Sequence, residues 1–339
     1  MSDHIKSEKR GALGLLTLNR PKALNALDHG MIASLTEALQ AWAADDAIKT
    51  VAIRGEGRAF CSGGDIRAVQ QAMVAGSNEG FDLLRDEYRM NALIAAYPKP
   101  YIALIHGICM GGGAGVSVHG KYRLADSTLS FAMPETGIGF IPDIGASFFL
   151  SRLADEMGLY LGLTGSPIGP GDALDAGLMT HAVNQADFEA VIVALAEGRD
   201  FASFIREVGV RKAEPGTLAP HRKRIATIFS APSVEAILER LDRDGSEFAL
   251  ATAQTIRLRS PTSLKLVFRQ LREARALNLK QCLAMEFRLA NRVLPSHDFR
   301  EGVCAALIDK DRNPKWQPSS LAGVGDLDAC FAPLQHELF

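Results

Sequence analysis

The chain has 339 residues, 47% of them hydrophobic, and a formal net charge of -2. That apolar content is enough for one large or two ordinary domains and excludes disorder over most of the length. Both signs of charge are dispersed, which leaves no basic stripe for nucleic acid and no polybasic patch for a membrane.

Cys61, Cys109, Cys282, Cys304 and Cys330 are odd in number and form no CxxC pair. Neither a disulfide framework nor a thiolate zinc site is suggested, and a reducing cytosol fits, so a cytoplasmic protein is expected. The opening residues MSDHIKSEKR have neither the apolar core of a secretory signal nor the pattern of a transit peptide. No run approaches the roughly 20 apolar residues of a membrane span. The histidines are scattered and no H-E-x-x-H occurs, so no metal is expected.

In chain order, Gly11 to Leu18 reads as a strand and Asn25 to Ala44 as a helix with Met31, Leu35, Ala38, Leu39 and Trp42 on one face. Thr50 to Ile53 is a short buried strand, followed by the turn at Gly55 to Gly57 and the loop FCSGGD. A helix opens at Asp65, and a longer one runs from Phe81 to Tyr97, stopped by Pro98 and Pro100. Tyr101 to His106 is a second apolar strand, again running into glycines and a small-residue helix through Val118. Strand, glycine turn, helix thus occurs twice, which predicts an α/β core over residues 1–185. Residues 186–339 then read as a mainly helical region, with helices at Asp187 to Ala196, Ser233 to Leu241, Ser246 to Leu258, Ser263 to Ala276 and Leu279 to Val293. Ala213 to Arg224, rich in Pro, Gly and basic residues, reads as a loop.

The segment SFAMPETGIGFIPDIGA, Ser130 to Ala146, contains two charges, Glu135 and Asp143, among Phe131, Met133, Ile138, Phe140 and Ile141. Desolvating a carboxylate without a partner raises its pKa toward a range useful for proton transfer. A helix-start position for Glu135 after Pro134 and a Pro-Asp turn for Asp143 are the plainer readings. Gly64 in FCSGGD and Gly112 in HGICMGGGAG sit where strands hand over to helices, so their N–H groups are able to face a ligand oxygen as an oxyanion hole. Tight turns and close helix packing would explain the same glycines. GVSVH, Gly115 to His119, fails as a nucleophile elbow because its fifth position is histidine. Neither G-x-G-x-x-G nor a P-loop is present.

NRPKALNAL (Asn19 to Leu27), AFCSGGDI (Ala59 to Ile66) and HGICMGGGAG resemble the crotonase (enoyl-CoA hydratase/isomerase) superfamily over most of the chain. Within it, FAMPETGIGFIPDIG, SPTSLK (Ser260 to Lys265) and HDFREGVCAALIDKDRNPKW (His297 to Trp316) resemble a branch that hydrolyses 3-hydroxyacyl-CoA thioesters. The resemblance implies an α/β fold built as a spiral of β-β-α turns, an acyl-CoA substrate, and Gly64 and Gly112 as oxyanion donors. It also implies no cofactor beyond the coenzyme A of the substrate, and a homo-oligomer, commonly a trimer or hexamer.

Hydratases of the superfamily use two glutamates, and the position of the first is Gly115 here. The second is Glu135, and Asp143 stands where hydratases usually carry glycine. The resemblance therefore assigns Glu135 and Asp143 to hydrolysis of 3-hydroxyisobutyryl-CoA or a related short 3-hydroxyacyl-CoA, in valine breakdown. An enoyl-CoA hydratase or isomerase, and a non-catalytic acyl-CoA-binding subunit, are the alternatives. Glu87 matches a substrate-binding position of the branch, an exposed helix carboxylate being its plainer reading. Ala146 departs from the second glycine usual after PD-x-G, and Lys22 is a candidate for the CoA phosphates.

Overall fold

The computed structural model describes residues 2–208 and 213–339. Its contacts group the chain into two compact units, each assembled from three separated segments. The first comprises Met1–Asp65, Arg89–Phe131 and Ile168–Thr217, and the second Ile66–Tyr88, Ala132–Pro167 and Leu218–Phe339. These units follow contacts, whereas a boundary at residue 185 follows the change in secondary-structure pattern.

The first unit is built on a six-stranded sheet of order β1-β2-β3-β5-β7-β9: Ile5–Arg10, Leu13–Leu18, Thr50–Gly55, Tyr101–Ile105, Tyr122–Ala125 and His181–Ala182. The edge strand β1 pairs antiparallel with β2, and the remaining neighbours pair parallel. A second sheet holds β4 (Ala59–Cys61), β6 (Ile108–Met110) and β8 (Ser130–Ala132) in that order. Consecutive strands therefore alternate between sheets: β3 then β4, β5 then β6, β7 then β8. This is the β-β-α spiral implied by the motifs.

Leu13, Leu15, Ala52, Ile102, Leu104 and Leu124 of the large sheet pack with Phe188, Ile192 and Leu195 of the helix Phe188–Ala196 and with Phe201, Phe204 and Ile205 of the next helix. Burial of each such side chain contributes roughly 1.5–3 kcal/mol.

The second unit is mainly helical. Its larger helices are Met157–Thr164, Arg222–Phe229, Val234–Asp244, Glu247–Arg257, Pro261–Glu273, Leu279–Val293 and His297–Val303. Five are N-capped by a serine or asparagine side chain, at Ser233, Ser246, Ser260, Asn278 and Ser296. Among the described residues, no helix is long and apolar enough to cross a membrane.

Several predicted boundaries are corrected. The strand expected from Gly11 begins at Leu13, because Gly11, with φ of 56°, and Ala12 form the two-residue turn of a hairpin whose first strand, the polar IKSEKR, lacks an apolar run. The helix expected from Asn25 begins at His29 and is capped by Asp28, which accepts from Met31 N. Asn25 has φ of 57°, and its side-chain amide donates to the carbonyls of Glu56, Ala59 and Phe60. The small-residue helix after the second glycine cluster covers Gly112–Gly115 only. The loop expected at Ala213 to Arg224 gives way at Arg222 to the helix Arg222–Phe229.

Candidate active site

The glycine turns belong to the first unit. β4 and β6 are parallel neighbours, with Cys61 paired to Cys109, so FCSGGD and MGGGAG leave the small sheet at the same end. NRPKALNAL fastens the first turn: Ser62 N donates to Leu24 O, Leu27 N to Gly63 O, and Asp65 N to Leu27 O. Arg20 adds a 2.7 Å ion pair to Asp65. A Cβ on Gly63 would lie 3.8 Å from Gly112 N, and one on Gly113 would collide with Cys61 O, so the two turns are in van der Waals contact. Among the described residues, neither Gly64 N nor Gly112 N donates to a protein acceptor. Two adjacent backbone donors are thus left for a ligand oxygen.

Elsewhere in this unit, Ser117 donates to Gly113 O at 2.7 Å, a packing bond, and His106 Nε2 pairs with Gly57 O at 2.8 Å. Lys22 is exposed on the 3-10 turn Pro21–Ala23.

The carboxylates belong to the second unit. Glu135 opens the 3-10 turn Glu135–Ile138. The hydrolase-branch motifs of the C-terminal half brace this turn. Ser260 N donates to Thr136 O at 3.1 Å, and Asp298 accepts from Ser260 Oγ at 2.6 Å and from Gln317 N at 2.7 Å. Gly139, with φ of 67°, lies against the backbone of Asp298 where a Cβ has no room. Phe140 packs on Phe299 with ring centroids 5.5 Å apart.

Glu135 and Asp143 are each 6% exposed and Glu87 is 2% exposed. Tyr88, next to Glu87 on the helix Glu79–Ala95, donates its hydroxyl to Asp143 Oδ2 at 2.6 Å. Among the described residues, one oxygen of Glu87 and one of Glu135 are buried without a hydrogen-bond partner. Burial, reinforced by the charge of Asp143, pushes Glu87 up to about 8 and holds Glu135 well above the usual carboxylate range. Burial also pushes Asp143 up to about 7, opposed by the Tyr88 hydroxyl and a backbone hydrogen bond. Among the described residues, no cation is one of the groups acting on these three acids. Such a set does not ionise completely near neutrality, and a partnerless carboxylate, once ionised, is a strong base or nucleophile.

A fourth acid, Glu286, is 0% exposed on the helix Leu279–Val293. Its Oε2 accepts from Gly145 N at 2.6 Å and its Oε1 from Ser147 N at 2.7 Å and from the Ser147 hydroxyl. Burial pushes it up to about 8 against these three donors. No sequence motif marks Glu286, although it stands on the buried stripe Cys282, Glu286, Leu289, Val293. A carboxylate at an apolar position of a 3.6-residue pattern is the signal that marks it.

The structure therefore collects Glu87, Glu135 and Asp143 in one electrostatic cluster of the second unit, and sets Gly64 and Gly112 close together in the first. Among the described residues, no group of His, Cys, Asp and Glu is arranged to hold a metal ion.

Two adjacent amide donors left for a ligand oxygen suit a class of enzyme that works on the carbonyl of an acyl group. The enoyl-CoA hydratase/isomerase family model matches residues 13–330, and the chain belongs to that family. It is 45% identical to the 3-hydroxyisobutyryl-CoA hydrolase, mitochondrial, of Danio rerio, over 96% of this chain and 89% of that protein. Among solved structures it resembles a carnitinyl-CoA dehydratase from Mycobacterium thermoresistibile, with a TM-score of 0.95 and 38% identity over 100% and 99% of the two chains. An enoyl-CoA hydratase from Rhodobacter sphaeroides follows, with a TM-score of 0.92 and 36% identity over 98% of each chain.

Proposed function

We propose that this protein hydrolyses the thioester of 3-hydroxyisobutyryl-CoA, or of a related short 3-hydroxyacyl-CoA, to the free acid and coenzyme A in valine breakdown. The observation that carries this reading is Glu135, one carboxylate oxygen of which is buried without a hydrogen-bond partner among the described residues, combined with Gly115 at the position where a hydratase carries its first glutamate. One carboxylate does not serve both ends of a water molecule adding across a double bond. Cleaving a thioester asks less: one nucleophile or base, an oxyanion site and a leaving thiolate.

In this reaction the Gly64 and Gly112 N–H groups are the donors to the thioester oxygen as it becomes anionic; removing one such donor typically costs about 10²- to 10³-fold in rate. The Glu135 carboxylate attacks the carbonyl carbon, breaking the C–S bond to leave an anhydride that water opens, or it takes a proton from water that attacks directly. In the first route the sulfur departs as thiolate and is protonated when water opens the anhydride; in the second, Glu135 passes the proton it took from water to the departing sulfur. Asp143 accepts the hydrogen bond of the 3-hydroxyl, Glu87 lines the acyl group, and Lys22 is the cation offered to the CoA phosphates. The Danio rerio relative is named as a mitochondrial protein; the free cysteines here suit any reducing compartment, the cytoplasm included.

Likeness to a solved hydratase and a solved dehydratase favours hydration as the second reading, and the absent first glutamate counts against it. Thiol release from 3-hydroxyisobutyryl-CoA, 3-hydroxypropionyl-CoA and isobutyryl-CoA tests the proposal. The 3-hydroxyl esters are expected to turn over and the plain ester to lag far behind. Loss of enoyl absorbance from crotonyl-CoA without thiol release would instead establish the hydratase.

A further inference from the structure

Asp143 sits at the entrance to an unusual turn. Ile144, a β-branched residue, has φ of 58°, and Gly145 follows with φ of 85°. A left-handed conformation is disfavoured for a non-glycine residue and persists only where surroundings hold it. The surroundings here are two helices of the same unit. From Pro261–Glu273, Gln270 Nε2 donates to Pro142 O at 2.7 Å. From Leu279–Val293, Glu286 takes the N–H groups of Gly145 and Ser147 and the Ser147 hydroxyl. The turn is closed on itself by Ala146 N donating to Asp143 O at 2.8 Å.

A wholly buried acid loses its hydration, and at Glu286 that loss is offset by hydrogen bonds to this one turn. Its three donors all come from the residues immediately after Asp143, so what it fixes is the direction in which Asp143 leaves the backbone. We propose that Glu286 is a positioning residue for this enzyme: it clamps the left-handed turn after Asp143 and so holds the Asp143 carboxylate on the 3-hydroxyl of the acyl group, a role that rests on the hydrolase reading above. Tyr88 meets the same carboxylate by its 2.6 Å bond, so the Asp143 side chain is set by a backbone clamp and a side-chain bond together.

Glu286→Gln is the direct test, because either orientation of the amide sets an NH₂ group against a backbone N–H. The full-length protein is assayed for kcat/KM on 3-hydroxyisobutyryl-CoA and isobutyryl-CoA from one sample, so any misfolded fraction cancels in the ratio. Glu286→Gln is expected to lower that preference about tenfold or more, and Ser147→Ala, which keeps both backbone bonds, by about two- to fivefold. Hydrogen exchange is expected to quicken over residues 142–147 in Glu286→Gln while residues 101–105 stay protected. A preference equal to wild type in Glu286→Gln overturns the inference, whatever the absolute rates. If Glu286→Gln yields no folded protein, Ser147→Ala decides: a lowered preference supports the clamp and an unchanged one overturns it. A wild type that hydrolyses both esters alike overturns the clamp's role, whereas one that releases no thiol from either ester defeats the hydrolase reading itself, a result distinct from failure in the variants alone.

Discussion

At one end of the segment 135–147, Glu135 is buried with an oxygen that no donor reaches; at the other, Glu286 is buried with a backbone N–H on each oxygen. Both lose water, and burial drives both upward in pKa. The difference lies in what replaces the water. At Glu286 the protein supplies a full set of donors, and the group becomes part of the backbone's hydrogen bonding. At Glu135 it supplies too few, and the unmet capacity is left for a substrate. Glu87 belongs with Glu135, whereas Asp143, tied to Tyr88, stands between the two. Buried acids in one helical unit thus divide by their partners into reacting and holding groups.

The largest effect expected from this contrast is on turnover. Glu135→Gln should lower kcat for 3-hydroxyisobutyryl-CoA by about 10³-fold or more, with CoA-ester binding by calorimetry little changed. Wild-type turnover in that variant would break the division between reacting and holding acids.

Next is Asp143→Asn, expected to reduce kcat/KM for the 3-hydroxy ester about 10²-fold and for isobutyryl-CoA much less. Equal losses on both esters would remove Asp143 from hydroxyl recognition.

Stability should move in opposite directions at the two ends. Glu286→Ala leaves two buried N–H groups and a hydroxyl unmet and is expected to cost about 3 kcal/mol in denaturant unfolding. Glu135 has a folded pKa above its unfolded one, so its ionisation takes stability away as pH rises through the folded value. Glu135→Gln should therefore melt with wild type at pH 5 and above it at pH 9. Loss of stability in both variants at every pH would show that Glu135 is held as firmly as Glu286.

The smallest effect is that of Tyr88→Phe. The Tyr88 hydroxyl holds Asp143 down, so its removal should raise the Asp143 value from about 7 and move the rising limb of kcat/KM to higher pH by about 0.5–1 unit. An unmoved limb would mean that Asp143 does not govern it.

Much of this was legible in the sequence, and the reason is local. The carboxylates at 135 and 143 stood out as charges in an apolar run, and the run is buried as that contrast requires. The glycine turns were visible because each follows a short apolar strand. The spiral alternation was half visible: β4, β6 and β8 are three residues each, too short for period-2 patterning to register. What stayed hidden is what the chain brings from far away. Tyr88 reaches Asp143 across 55 positions, Gln270 reaches Pro142 across 128, and Glu286 reaches Gly145 across 141. Propensity places Asn25 in a helix, but its amide serves backbone carbonyls more than thirty residues on, a demand that propensity does not register.

The protonation state of Glu135 in the free protein tests most directly whether lack of partners sets it apart. An infrared difference spectrum at pH 6 between wild type and Glu135→Gln should contain the C=O stretch of a protonated, buried carboxylic acid, absent from the variant. Ionised-carboxylate bands alone in that difference would contradict it, because burial with an unpartnered oxygen would then not hold Glu135 protonated.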